Sequence, residues 1–233
     1  MPMMKKKSSA GGGGEGNVFW VTMSDLMLGL SIIFMTLFVL AMTGFTQQSL
    51  EQKQNQIKAA EELTQKLKKS QIEAEVDKLT GDVKISDLEL FETGSYTLSE
   101  NGMEFLDKLV PIYINTIFQK EELINGVENI VIQGHTDSQA FSAAKTKEEQ
   151  FVKNMDLSTK RANAVAEYMF KTNYDKQYSP ALIKMLVVEG KSFTEPILVD
   201  GKEDLAKSRR VEMRLKVKPM DIMHILFAGG ARP

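Results

Sequence analysis

A membrane-anchored α+β protein is the architecture the sequence predicts: a single-pass transmembrane helix, a helical stalk, and a domain of two helices on one mixed sheet. Three observations predict it. From Val18 to Met42 the chain is apolar, with Asp25 its only ionisable side chain. From Glu51 to Lys78 it is mostly charged or polar and free of aromatics. After Gly81 apolar residues recur with the periods of strands and helices in alternation.

Residues 1–17 read as a basic, glycine-rich tail. The Gly11–Gly14 run lacks the Lys and Ser/Thr of a phosphate-binding loop. Residues 18–42 are expected to span the bilayer, since 25 residues at ~1.5 Å each give about 37 Å, against a hydrocarbon core of ~30 Å. A cleaved signal peptide would show a shorter apolar core and a small-residue cleavage site, so an uncleaved anchor is expected. Lys5, Lys6 and Lys7 precede the span, and the first charge after it is Glu51. The positive-inside rule then puts the N-terminus in the cytoplasm of a bacterial cell and everything after Thr43 in the periplasm. The absence of Cys agrees with an oxidising compartment. A net charge of -2 argues against nucleic acid as a partner.

Residues 43–80 suit a helical stalk or a solvated linker, because the apolar positions Leu50, Ile57, Leu63, Leu67, Ile72, Val76 and Leu79 are too irregular for a strict coiled coil. The domain is expected over 81–219. "DVKIS" opens it as a strand, and Met103, Leu106, Val110, Ile114 and Ile117 mark an amphipathic helix containing Pro111. "NIVIQ" (129–133) reads as a buried strand, and Leu157, Arg161, Val165, Ala166 and Met169 fit a second helix. "MLVVEG" (185–190) and "RVEMRLKV" (210–217) close the domain as strands, the latter with Val211, Met213, Leu215 and Val217 on one face. The order is βαβαββ, which folds as two helices on one mixed sheet. The apolar tail within 220–233 is too short to span and is expected to dock on its own domain or a partner.

Asp25 is the first candidate functional residue. An acid in a hydrophobic helix costs about 2.5–3.5 kcal/mol on insertion scales, so such residues usually face protein or a wet path. Thr22, Gly29, Thr36 and Thr43 fall within roughly 60° of Asp25 on a wheel of about 100° per residue, opposite a face of Leu, Ile, Met and Phe. Such a face suits packing against other helices along a polar route. An ion relay through Asp25, carrying H+ or Na+, is the leading reading; a static polar contact or an interfacial Asp are the alternatives. One helix with one acid makes no channel, so other membrane subunits are implied.

The second candidate site lies between Ile130 and Met169. There the chain reads Gly134-His135-Thr136-Asp137, then Asn154-x-x-Leu157-Ser158-x-x-Arg161-Ala162, with Arg209-Arg210-Val211-Glu212 later. These motifs, with "LFETGSYTLSENGMEFLDKL" before them, resemble the OmpA-like peptidoglycan-binding domain over roughly residues 82–218. The resemblance implies that Asp137 takes the ammonium and Arg161 a carboxylate of the diaminopimelate in a peptidoglycan stem peptide. Asn154 would add neutral hydrogen bonds, and Leu157 completes the motif. The alternative is a structural pair of roles, with Asp137 capping a loop and Arg161 in an internal salt bridge. His135 reads as a strand-end residue rather than a metal ligand.

The chain departs from the family pattern in three places. Asn154 stands further from Asp137 than usual because of an insertion at 138–153, expected to sit beside the pocket. Ser208 replaces the usual Asn before Arg209, and Gly190-Lys191-Ser192 replaces a G-x-G.

Anchor, stalk and OmpA-like domain together resemble the B subunits of ion-driven motors, such as flagellar MotB-type stators, and among them most nearly the B subunits of Zorya anti-phage defence systems. The resemblance implies a self-dimer of B helices inside a ring of MotA-like or ZorA-like A subunits, five A to two B. The domain would hold peptidoglycan. A tether that conducts nothing, with Asp25 an assembly contact, is the alternative of another class. No nucleophile-base pattern, metal-ligand spacing or nucleotide loop stands out, so neither catalysis nor a cofactor is expected.

Overall fold

The computed structural model of the chain describes residues 14–92, 94–139 and 144–218. Of the expected basic tail, residues 1–13 lie outside these and 14–17 begin the first helix; the tail at 220–233 also lies outside them. Two units are distinguished, the N-terminal part of helix α1 (Gly14–Lys69) up to Ser49, and Leu50–Met220.

In the first unit the large apolar side chains of 18–42 are exposed, and the helix is long and apolar enough to cross a membrane. Each threonine on the Asp25 face is bonded to its own helix. The Thr22 hydroxyl lies 3.0 Å from the Val18 carbonyl and 2.9 Å from that of Phe19. Thr36 donates to Ile32 O at 2.7 Å and Thr43 to Val39 O at 2.8 Å. Back-bonding of this kind keeps a hydroxyl satisfied in a medium without water. At Gly29 an added methyl would meet nothing within 4 Å.

The second unit begins differently from the expected stalk. Ala59, Ala60, Leu63 and Leu67 of α1 are buried, as is Ile72 just after it, so this stretch is core rather than solvated linker. The spacing looked irregular because the helix stops at Lys69. There Gln71 takes a φ of 55°, and the Ile72 N–H reaches back to Leu67 O at 3.0 Å, a Schellman-type end built without glycine. Glu62 bridges Lys66 and Lys120, both at 2.7 Å, and Lys66 also donates to Thr116 at 3.1 Å, which ties α1 to the following helices.

The chain then runs through β1 (Glu75–Val76), β2 (Val83–Ser86), α2 (Asp87–Leu90), α3 (Glu100–Phe118), α4 (Glu121–Gly126), β3 (Val127–His135) and α5 (Lys147–Met169). A short 3₁₀ turn and α6 (Ser179–Met185) precede β4 (Leu186–Gly190), the small hairpin β5 (Leu198–Val199) and β6 (Lys202–Glu203), α7 (Leu205–Ser208) and β7 (Arg210–Val217). The main sheet has the order β1-β2-β7-β3-β4, with β3 and β4 parallel and the other pairings antiparallel. Stripped of its short elements this is the expected βαβαββ fold.

Alternation along the strands sorts the two faces. Val83, Ile85, Ile130, Ile132, Val211, Met213 and Leu215 join the buried cluster with Leu106, Val110, Tyr113 and Ile114 of α3 and Ala162, Val165 and Met169 of α5. Their neighbours Gln133, His135, Arg210 and Glu212 point to the other face, where Arg210 Nε donates to Glu212 at 2.6 Å.

Candidate functional site

Glycine positions the site. In β3 Gly134 pairs with Gly190 of β4, and α5 crosses both. A methyl on Gly134 would lie 2.0 Å from the Ser158 carbonyl oxygen, and one on Gly190 would lie 2.1 Å from Thr159 Oγ1. Only a bare backbone lets α5 come this close to the strand ends. Ser158, small and fully buried, accepts from the Ser192 N–H at 3.1 Å. Ser192 stands where the family pattern has glycine and takes a left-handed φ of 53°. It is held there by donating its hydroxyl to Phe151 O at 3.2 Å and accepting from the Thr136 N–H at 2.9 Å. At the other departure Ser208 Oγ accepts from the Ile197 N–H at 3.0 Å.

The chain leaves β3 through Thr136 into Asp137, and α5 presents Asn154, Leu157 and Arg161 to the same space. All four expected site residues line one cavity of about 390 Å³, together with Asp87 and Arg209. The insertion contributes structure here: Lys147 to Lys153 add about two turns to the front of α5. Thr146 caps it by accepting from the Glu149 N–H at 3.1 Å. Residues 140–143 lie outside the described residues.

Arg161 is buried and held from several sides. Its Nε donates to Ser95 O at 2.9 Å, Nη1 lies 3.0 Å from Asp87 Oδ1, and the guanidinium sits 5.2 Å from the Phe91 ring centre. The Asp87 contact is a charge pairing rather than a well-aligned hydrogen bond. Burial raises the Asp87 carboxyl above its ordinary range, while Arg161 and then Arg209 pull it down. Asp137 accepts from the Gln139 N–H at 3.1 Å through Oδ1 and pairs with Arg209 through Oδ2. Asn154 Nδ2 donates to Gln150 O at 3.1 Å. Both roles read for the pair as internal structure, a loop cap for Asp137 and an ion pair for Arg161, are therefore present within the cavity itself.

Two participants were not singled out by sequence reading. Arg209 lies inside the late Arg-Arg-Val-Glu motif, which was its only signal. Asp87 follows a strand with nothing in its spacing to mark it; its backbone N–H bonds to Arg209 O at 3.1 Å, which brings the two together.

His135 ends β3, buried, with its Nε2 3.9 Å from Glu212. Burial first, and the Arg210 guanidinium next, push its pKa from 6.5 down to about 4, so it is neutral in the folded protein near pH 7. The unfolded chain takes up this proton near pH 6.5 and the folded one does not until about pH 4. Stability from this group is thus fully present above pH 6.5 and declines on acidification, by about 3 kcal/mol at pH 4. Urea melts of the chain and of His135→Asn between pH 7 and 4.5 should differ by a slope of this sign, the variant being flatter. Parallel profiles would contradict it.

A βαβαββ domain with opposite charges converging beside a Gly-His-Thr-Asp strand end defines a class: the OmpA family model matches residues 90–210, just over half of the chain, and the chain belongs to that family. The chain is also similar to the Zorya protein ZorB of Escherichia coli strain Crooks, with 29% identity across 86% of this chain and 88% of that one. A second Escherichia coli Zorya protein ZorB is 21% identical over 85% of this chain and 80% of its own length. The fold is shared with a MotB-like protein of Desulfovibrio vulgaris, which aligns with a TM-score of 0.51 at 22% identity over 73% of this chain and 96% of that one.

Proposed function

We propose that the chain is the B-type subunit of an ion-driven membrane stator of the Zorya kind, fixed to the cell wall by its OmpA domain. The observation that carries the reading is the convergence of Asp137 and Arg161 on one cavity. An anion and a planar cation side by side suit an amino-acid zwitterion, here the free end of a diaminopimelate in peptidoglycan: ammonium to Asp137, carboxylate to Arg161, with Asn154 and Leu157 along the wall of the cavity. Similarity to ZorB across 86% of this chain, well beyond the OmpA match at residues 90–210, supports the Zorya assignment over a flagellar one.

In this reading the N-terminus is cytoplasmic and the domain periplasmic, the orientation that the lysines before the span favour. Two copies pair through their anchors within a ring of five ZorA-like subunits. Asp25 relays a proton, on a face where Gly29 leaves room for a neighbouring helix and Thr22 and Thr36 have satisfied hydroxyls.

Co-expression with the adjacent large membrane subunit separates the two halves of the proposal. Asp25→Asn should abolish ion flux and phage protection while sedimentation with peptidoglycan sacculi stays normal. Asp137→Ala should abolish sedimentation. Unchanged protection in Asp25→Asn sinks the relay, and flux that follows sodium rather than protons changes the coupling ion.

A further inference from the structure

The two arginines of the cavity are held very differently. The Arg161 side chain is 3% exposed and restrained by Ser95, Asp87 and Phe91. The Arg209 side chain is 29% exposed, and among the described residues its guanidinium has one partner, Asp137. The carboxylate that the proposed function assigns to a ligand ammonium is therefore already occupied by a cation of the protein. Arg209 is the less restrained of the two.

Charge arithmetic limits what can replace it. Asp87, Asp137, Arg161 and Arg209 sum to zero. An incoming ammonium alone would leave the part-buried cavity with a net positive charge and an Arg209 without a carboxylate beside the fixed Arg161. A ligand carrying ammonium and carboxylate on one carbon keeps the sum at zero and offers Arg209 a new partner where it lost the old one. We propose that Arg209 is a movable counterion that makes the site selective for zwitterions. It closes on Asp137 when the site is empty and turns to the ligand carboxylate, beside Arg161, when an ammonium takes its place. The inference rests on the wall-binding reading and adds to it a residue that sets which wall chemistry is accepted.

Two soluble muropeptides test it by calorimetric titration of the full-length chain in detergent. In one the third stem residue is meso-diaminopimelate, whose free end is a zwitterion; in the other it is L-lysine, which ends in an ammonium alone. The chain should prefer the first by at least about tenfold. In Arg209→Gln the preference should shrink to within about threefold, the diaminopimelate form binding more weakly and the lysine form more tightly. A merely structural role for Arg209 would weaken both equally and leave the ratio unchanged, which overturns the proposal. If the Gln variant does not fold, Arg209→Met, which keeps the apolar stem, gives the same readout. A wild-type chain that binds both muropeptides equally overturns the selectivity alone. A wild-type chain that binds neither overturns the wall-binding reading and this inference with it.

Discussion

Arg161→Ala is expected to destabilise the OmpA domain by about 3–5 kcal/mol and to abolish binding to peptidoglycan. Both effects come from one geometry. Arg161 is the cation facing Asp87, and both side chains are at least nine-tenths buried. Removing the guanidinium strands a carboxylate away from water, which costs far more than the pair itself contributes. The Ser95 carbonyl also loses its donor and the Phe91 ring its cation. Urea denaturation measures the first effect and sedimentation with sacculi the second. They can be told apart with Asp87→Asn combined with Arg161→Met, which leaves no charge unpaired. The double variant should recover most of the stability and none of the binding. Binding by the double variant would show that Arg161 serves the fold alone.

Gly134→Ala is expected to be nearly as damaging, at the upper end of or beyond the ~1–3 kcal/mol typical of overpacked sites. The new methyl would sit 2.0 Å from a backbone oxygen of Ser158, and a helix backbone cannot rotate out of the way as a side chain can. Helix α5 must lift from β3, carrying Asn154, Leu157 and Arg161 with it. The variant should therefore lose muropeptide affinity even at temperatures where it remains folded. Wild-type melting and affinity in Gly134→Ala would contradict the close crossing that builds the cavity.

The parts of this fold that sequence reading located are those where one physical signal dominates. Alternating Val211, Met213, Leu215 and Val217 marked β7 with its observed bounds, because a strand packed on one face must alternate. The apolar positions of α3 and α5 were legible for the same reason at helical spacing. The end of α1 was not, since its buried Ala59 and Ala60 are weak hydrophobic signals and its stop relies on a left-handed Gln71 instead of a glycine. The front of α5 was hidden in what read as an insertion.

Asp137, Asn154, Leu157 and Arg161, which the motifs grouped, line one cavity. Motif spacing carried no information about Asp87 and little about Arg209. Ion pairs across 72 and more residues of chain are made by sheet topology, here by β3 and β7 lying side by side with His135 opposite Arg210, rather than by any local pattern.

The most direct test of the account is sedimentation of the full-length chain with purified peptidoglycan sacculi of the diaminopimelate type, repeated with the soluble diaminopimelate muropeptide as competitor. The chain should pellet with the sacculi and be released as the muropeptide is added. A chain that stays in the supernatant, or pellets equally with and without the competitor, would contradict that expectation.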